Sequence, residues 1–327
     1  MRYVIYGAGA IGGSIGARLF QHEREVVLIC RGAHLEAVRR DGLTFRTPAE
    51  TVTLPITAVG HPSEVQFRGD EVVLLTMKSQ DTAAALDELR AAAGDVPVVC
   101  AQNGVANERM ALRRFSMVYG MLVVLPATHL EPGVVLMHAT AVGGVLDAGC
   151  YPTGVEPLIE QVTAEITASG FSARPDPNVM RLKYSKLLGN LGNAVQALCE
   201  RDDAAGELMR LLRAEAVACY EAAGIDFAPP EDLMGRRSAA LTPGQIEGAP
   251  RSGGSTWQSL ARGAGALETD FLNGEIALLG ALHGVPTPYN RAVQQAAAEA
   301  VREGAQPGSY GAEQIMARAK ELAEVRP

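Results

Sequence analysis

The run Gly7-Ala8-Gly9-Ala10-Ile11-Gly12 constrains this chain more than any other feature. It follows a β-rich segment, residues 3–6, and opens an amphipathic stretch, residues 10–22. There Ile11, Ile15 and Leu19 recur at four-residue spacing, as on one face of a helix. In a strand–glycine loop–helix unit each glycine has a task. Gly7 makes the tight turn, Gly9 lets backbone amides approach a pyrophosphate, and Gly12 lets the helix press on the strand. The helix start then offers N–H groups to the anion, with Ala8, Ala10 and Ile11 completing the cradle. A purely structural glycine turn is the alternative. The strand before and the helix after favour dinucleotide binding.

The alternation continues downstream. Residues 25–29, 71–75 and 96–100 read as strands, and 33–40 and 82–93 as helices. Residues 43–46 and 51–55 read as an inserted hairpin. Val72-Val73-Leu74-Leu75 and Val98-Val99-Cys100 are apolar without alternation, as in a sheet covered on both faces. Further strands are expected at 118–125 and 134–145, with Glu131-Pro132-Gly133 as a turn. A helix at 155–169 and a last strand at 171–174 follow. Arg174-Pro175-Asp176-Pro177 then makes a natural hinge, since two prolines interrupt a helix.

Beyond Asn178 the pattern is helical at 179–199, 204–223, 256–283 and 290–303, with a Gly/Pro/Ser-rich loop at 241–254. The fold class is therefore α/β. A Rossmann-type, doubly wound parallel sheet forms the dinucleotide-binding domain, residues 1–176. An all-helical substrate and catalytic domain occupies 177–327.

The end of the second strand decides the dinucleotide. NAD sites usually place an acid there for the ribose 2′-hydroxyl. This strand ends Leu28-Ile29-Cys30-Arg31-Gly32. The guanidinium of Arg31 suits a 2′-phosphate, so NADP(H) is favoured over a merely solvated surface arginine. Thr76-Met77-Lys78-Ser79-Gln80 and Gln102-Asn103-Gly104 fall at carboxyl ends of sheet strands, where open α/β sheets bind ligands. Lys78 and Asn103 are therefore candidate cofactor contacts.

With 29 basic and 37 acidic residues the net charge is -8, which argues against nucleic acid as a partner. Five scattered cysteines lack metal-ligand spacing, so no metal is expected and the thiols read as reduced, in a cytoplasmic protein. The first apolar run is too short for a signal peptide, and no stretch approaches a membrane span.

The chemistry falls after the hinge. Lys186, Asn190 and Asn193, at spacings of four and seven, share one helical face among Leu187, Leu188, Leu191 and Val195. A partly desolvated lysine can protonate the alkoxide that forms when a carbonyl accepts a hydride, and asparagines can orient a carboxylate or hydroxyl. An ordinary polar seam is the alternative. Further on, Ser255-Thr256-Trp257-Gln258-Ser259 precedes Glu268 and Asn273-Gly274. The hydroxyls can cap a helix or grip a carboxylate. Glu268 can pair with Lys186 or stand as a plain surface acid.

In this order the motifs resemble the ketopantoate reductase (2-dehydropantoate 2-reductase) family over nearly the whole chain. The likeness runs through G-A-G-A-I-G, Arg31, Lys78 in K-S-Q, Q-N-G, K-L-L-G-N, S-T-W-Q-S…E-T-D-F-L-N-G and the P-T-P-Y-N close at Pro286–Asn290. The resemblance implies NADPH-dependent reduction of a 2-keto acid to a 2-hydroxy acid, in pantothenate biosynthesis ketopantoate. It implies Lys186 as general acid, Asn103 near nicotinamide and substrate, and Asn190 as a substrate ligand. Ser255 or Thr256 would be the substrate-binding hydroxyl. Glu268 would stand at the cofactor ribose and the active site.

Some positions depart from the family pattern. The second asparagine expected eight residues after the lysine is Ala194, and Asn193 stands one place early, about 100° round a regular helix. The K-x-x-Q loop reads K-S-Q. The serine-to-glutamate spacing is kept by Thr256 and is one residue longer from Ser255. The alternatives are a paralogous reductase or a β-hydroxyacid-type dehydrogenase on another small carbonyl, and a non-catalytic NADP-binding regulator. The expected partners are a small 2-keto acid, neither nucleic acid nor membrane, with a homodimer as the assembly to test.

Overall fold

The computed structural model describes residues 1–249, 253–263 and 265–325. The chain forms two compact units. The first comprises Met1–Lys183 and Pro229–Arg251, the second Tyr184–Ala228 and Ser252–Pro327.

The first unit is built on a seven-stranded sheet. In chain order it holds β1 (Arg2–Tyr6), β2 (Glu25–Ile29), β5 (Thr57–Val59), β6 (Glu71–Leu75), β7 (Val98–Cys100), β8 (Val118–Met121) and β11 (Ala148–Cys150). Their spatial order is β11-β8-β7-β6-β1-β2-β5. Every neighbouring pair is parallel except β11 with β8. The helices α1 (Ala10–Gln21), α2 (Gly32–Asp41), α3 (Thr82–Ala93), α4 (Asn107–Leu112) and α5 (Pro157–Ala168) accompany it. Two apolar clusters, around Ile5, Leu28 and Leu74 and around Val4, Ile29 and Val73, fill the sheet's two faces. That is why its strands are apolar on consecutive residues.

The hairpin expected at 43–55 is β3 (Leu43–Arg46) with β4 (Thr51–Leu54), paired antiparallel. It also joins β10 (Val134–Met137) and β9 (Ala127–Thr128) in a second sheet, β4-β3-β10-β9. β3 runs parallel to β10, a pairing with no local sequence signal. The strand expected over 134–145 ends at Met137. Residues 138–147 run irregularly through isolated bridges, as does the segment read as a last strand, 171–174.

The expected hinge after Asp176 does not coincide with the division between the units, which falls inside α6 (Val179–Asn190). A buried ion pair explains why the first turn of α6 belongs to the first unit. Lys183 Nζ lies 2.6 Å from Glu108 Oε1, with both side chains almost wholly enclosed, and 2.9 Å from the Gln102 carbonyl. The segment 229–251 also returns to the first unit, through α9 (Pro230–Ala240), a helix with no expectation in the sequence. Arg236 of α9 grips buried Asp147 bidentately at 2.7 and 2.8 Å.

The named elements of the second unit are all helical among its described residues. The unit comprises α7 (Gly192–Leu198), α8 (Asp203–Ala223), α10 (Ser255–Ala261), α11 (Asn273–His283), α12 (Pro288–Glu303) and α13 (Ala312–Val325), together with the end of α6. Two expected long helices are broken. The helix expected over 179–199 is interrupted at Leu191, whose carbonyl accepts a bond from Asn273 Nδ2 at 3.2 Å. The helix expected over 256–283 falls into α10, a short 3-10 turn at Glu268–Phe271, and α11. Gly263, at φ +64, marks the end of α10. Of the loop expected at 241–254, residues 250–252 lie outside the described residues, as do 264 and 326–327.

Candidate active site

The glycine loop is held by its own backbone. The Gly7 and Ala8 amides donate to the Ile29 carbonyl at 2.9 and 3.2 Å, closing the end of β1 onto the end of β2. Gly7 has φ +101, and a Cβ there would lie 2.6 Å from the Met77 amide nitrogen. A Cβ on Gly12 would collide with Thr76 Oγ1 and come within 2.8 Å of the Gly7 carbonyl. Thr76 is the buttress of the turn, donating to Gly7 O at 2.9 Å. At Gly9 a Cβ would meet only His129 Cδ2, at 4.0 Å. α1 begins there with no side-chain cap and no acid in its first turn. An open glycine before an uncapped helix start fits a pyrophosphate, because the first-turn amides have no intrahelical acceptors.

A histidine the sequence reading passed over secures the loop from behind. His34 of α2 is buried, with Nε2 2.8 Å from the Ala8 carbonyl and Nδ1 2.9 Å from the Gly133 amide. Since the amide can only donate, Nδ1 accepts and Nε2–H donates, which fixes one neutral tautomer. Burial lowers the pKa of His34 below its ordinary value. The glycine loop is thereby tied to the turn before β10.

Lys78 and Asn103 are half-buried at the ends of β6 and β7. A buried amide network laces their loops together. Gln102 Nε2 donates to Met77 O at 2.9 Å and Thr82 Oγ1 at 2.8 Å. Thr82 Oγ1 donates to Asn107 Oδ1 at 2.9 Å. Asn107 Nδ2 donates to Ser79 Oγ at 3.1 Å and Asn103 O at 3.0 Å. Gln102 in Q-N-G is thus a brace between two loops. The signal that could have found it is its place at a strand's carboxyl end, one residue before Asn103. Arg31 lies at the end of β2, 79% exposed, with its guanidinium 3.3 Å from Asp81 Oδ1.

In the second unit, Lys186 and Asn190 stand one turn apart on α6, both half-buried. Asn190 Nδ2 is buried and has no hydrogen-bond partner. Such a donor marks a place where an acceptor is expected. Asn193 is half-buried on α7, beyond the interruption at Leu191, so one continuous helix does not carry all three residues. Ala194 is almost wholly buried.

Ser255 and Thr256 open α10, which packs on α7, with Thr256 buried and Ser255 half-buried. Glu268 is 4% exposed at the start of the 3-10 turn, which excludes the plain surface acid. Asn273 and Asn290, at the ends of two of the motifs, are interior braces. Asn273 Nδ2 donates to Asn290 Oδ1 at 3.0 Å, and Asn290 Nδ2 donates to Glu215 Oε2 at 2.7 Å and Leu212 O at 3.1 Å. The Glu215 carboxylate also accepts from the Tyr289 and Asn290 amides, capping α12.

Known proteins match this chain along most of its length. The family model described as ketopantoate reductase PanE/ApbA matches residues 3–152, and the model of its C-terminal part matches 178–300. The 2-dehydropantoate 2-reductase of Pyrococcus horikoshii is 27% identical, covering 89% of this chain and 94% of its own. That of Mesorhizobium japonicum is 29% identical, covering 90% and 95%. The crystal structure of a PanE/ApbA family ketopantoate reductase from Ralstonia eutropha is 29% identical, with a TM-score of 0.78 over 93% of this chain and 99% of that one. A D-mandelate dehydrogenase with NADH and anilino(oxo)acetate shares the fold at 22% identity and a TM-score of 0.79. No helix among the described residues is long and apolar enough to cross a membrane. With both halves matched in order and the glycine loop, Lys78, Asn103, Lys186 and Glu268 on the elements described, the chain belongs to the ketopantoate reductase family.

Proposed function

We propose that this chain reduces 2-dehydropantoate to pantoate with NADPH, in the cytoplasm and as a step of pantothenate biosynthesis. The observation that carries the reading is the pairing of Lys186 with Asn190 on α6, where the buried Asn190 Nδ2 awaits an acceptor. When bound, the reduced nicotinamide supplies the hydride.

The chain's own residues do the rest. The first-turn amides of α1 hold the pyrophosphate, and Arg31 takes the 2′-phosphate. Lys78 and Asn103 line the dinucleotide from the braced loops. Asn190 donates to the substrate, and Ser255 or Thr256 holds its carboxylate. Lys186 protonates the carbonyl oxygen as the new C–H bond forms, and its positive charge favours the developing alkoxide. Glu268, buried beside α11, is the second catalytic residue.

One observation favours a second reading, a sister reductase acting on another 2-keto acid. The position of the family's second asparagine is the buried Ala194, so the amide expected there is missing. One experiment separates the two. NADPH oxidation is followed with ketopantoate, pyruvate and 2-ketoisovalerate, and again with NADH. Saturable turnover of ketopantoate with NADPH supports the first reading. Turnover confined to another keto acid supports the second. Lys186→Ala should lower kcat about 10²- to 10⁴-fold and leave NADPH affinity in place; retained turnover removes Lys186 from the mechanism.

A further inference from the structure

We propose that Asp81 sets this chain's choice between NADPH and NADH by acting on Arg31, holding the preference for the phosphorylated cofactor below what Arg31 alone would give. The inference rests on the reading of the glycine loop as the dinucleotide site and of Arg31 as its ribose-end ligand.

Three observations within the first unit carry it. Arg31 Nη2 lies 3.3 Å from Asp81 Oδ1, and the two side chains are 79% and 42% exposed, so the pair is open to a ligand from solvent. Asp81 ends a short 3-10 turn that runs into α3, with helical φ −90 and ψ −10, and its side chain makes no capping bond. A true N-cap has extended backbone, so this carboxylate is not placed to accept from the helix's amides and meets Arg31. Finally, β2 ends without an acid, and β1 separates it from β6 in the sheet. The carboxylate missing from the end of β2 is thus delivered from the segment that follows β6.

The chemistry of the two cofactors gives this pair its consequence. They differ at the ribose 2′ position, a hydroxyl in NADH and a phosphate of about −2 charge in NADPH. A 2′-phosphate gains from the Arg31 fork, but Asp81 holds that fork in an ion pair that the phosphate must break or share. A 2′-hydroxyl finds in the same carboxylate an acceptor of the kind that NAD sites supply. Removing the charge on Asp81 should therefore strengthen NADPH and leave NADH equal or weaker.

The test uses the full chain at low ionic strength, where surface charges are least screened. Dissociation constants for NADPH and NADH, and kcat/KM with each, are measured for the wild type, Asp81→Asn, Arg31→Ala and the double variant. Thermal midpoints check that the near-isosteric Asn variant is folded. Asp81→Asn should raise the NADPH:NADH preference about two- to fivefold, mainly through a tighter NADPH complex, and the gain should vanish in the Arg31→Ala background. An unchanged or falling ratio in Asp81→Asn overturns the inference alone, as does a gain that survives loss of Arg31. Binding of neither cofactor by the wild type overturns the reading of the glycine loop, and this inference with it.

Discussion

The two units hold their functional residues by different means. In the first, the groups proposed to face the dinucleotide are mostly backbone amides, shaped by glycines and braced from behind by half-buried Thr76 and by buried Gln102, Asn107 and His34. In the second, the proposed substrate ligands are side chains on separate helices, and the buried polar set there includes an orphaned donor at Asn190. The first arrangement cross-links its loops before any ligand arrives, through the hydrogen bonds of Thr76, Gln102, Asn107 and His34. In the second, the buried Asn190 Nδ2 is the donor proposed to meet the substrate. A dinucleotide is a constant ligand suited to a preformed cradle, whereas substrate identity varies by changing a few side chains.

Breaking a brace in each unit tests this contrast. The largest effect is expected at Lys183, enclosed with Glu108 at the start of α6. Lys183→Ala should cost about 3–5 kcal/mol, because it strands a buried carboxylate, while Lys183→Met with Glu108→Leu should recover most of the loss. Urea midpoints of the three proteins check this. A small loss in the single variant would mean that the pair does not fix α6.

In the second unit, Asn290→Ala removes donors to Glu215 and Leu212 and the acceptor of Asn273. A loss of about 1–3 kcal/mol is expected. If the second unit's orphans are kept for substrate while its braces serve the fold, Asn290→Ala should lower the thermal midpoint with little change in KM. A large KM change at unchanged stability would erase the distinction.

The smallest effect sharpens the role of His34. Its folded pKa lies below the ordinary 6.5. The unfolded chain therefore binds a proton that the native state resists, and this contribution to stability is lost as pH falls below about 6.5. The drop in urea midpoint between pH 7.5 and pH 5.5 should be smaller in His34→Gln, whose amide nitrogen can still reach the Ala8 carbonyl. An equal drop in both proteins would mean that His34 does not titrate against the fold.

The legibility of the sequence follows the same line. The strand–glycine loop–helix start and the strands β2 and β6 were readable because their signals are local: a motif between a strand and a helix, and unbroken apolar runs. The interruption at Leu191 was not, since no local residue marks it, and its carbonyl accepts from Asn273, far along the chain. The helix expected over 256–283 failed because helical composition was read through Gly263 and Gly265. No local pattern singles out Lys183 or Asp81. Only their partners, Glu108 and Arg31, give them meaning.

By itself the sequence determined the strand–loop–helix start, the doubly wound sheet, the helical character of the second half, and the residue types available for hydride-transfer chemistry. These depend on backbone preference and on apolar spacing of two and 3.6 residues, which neighbours along the chain decide. Tertiary structure alone decided that the segment 229–251 returns to the first unit, that β3 pairs with β10, and which polar residues brace the fold. Those outcomes depend on groups distant in sequence meeting inside a low-dielectric interior, where an unpaired donor or charge is costly enough to select its partner.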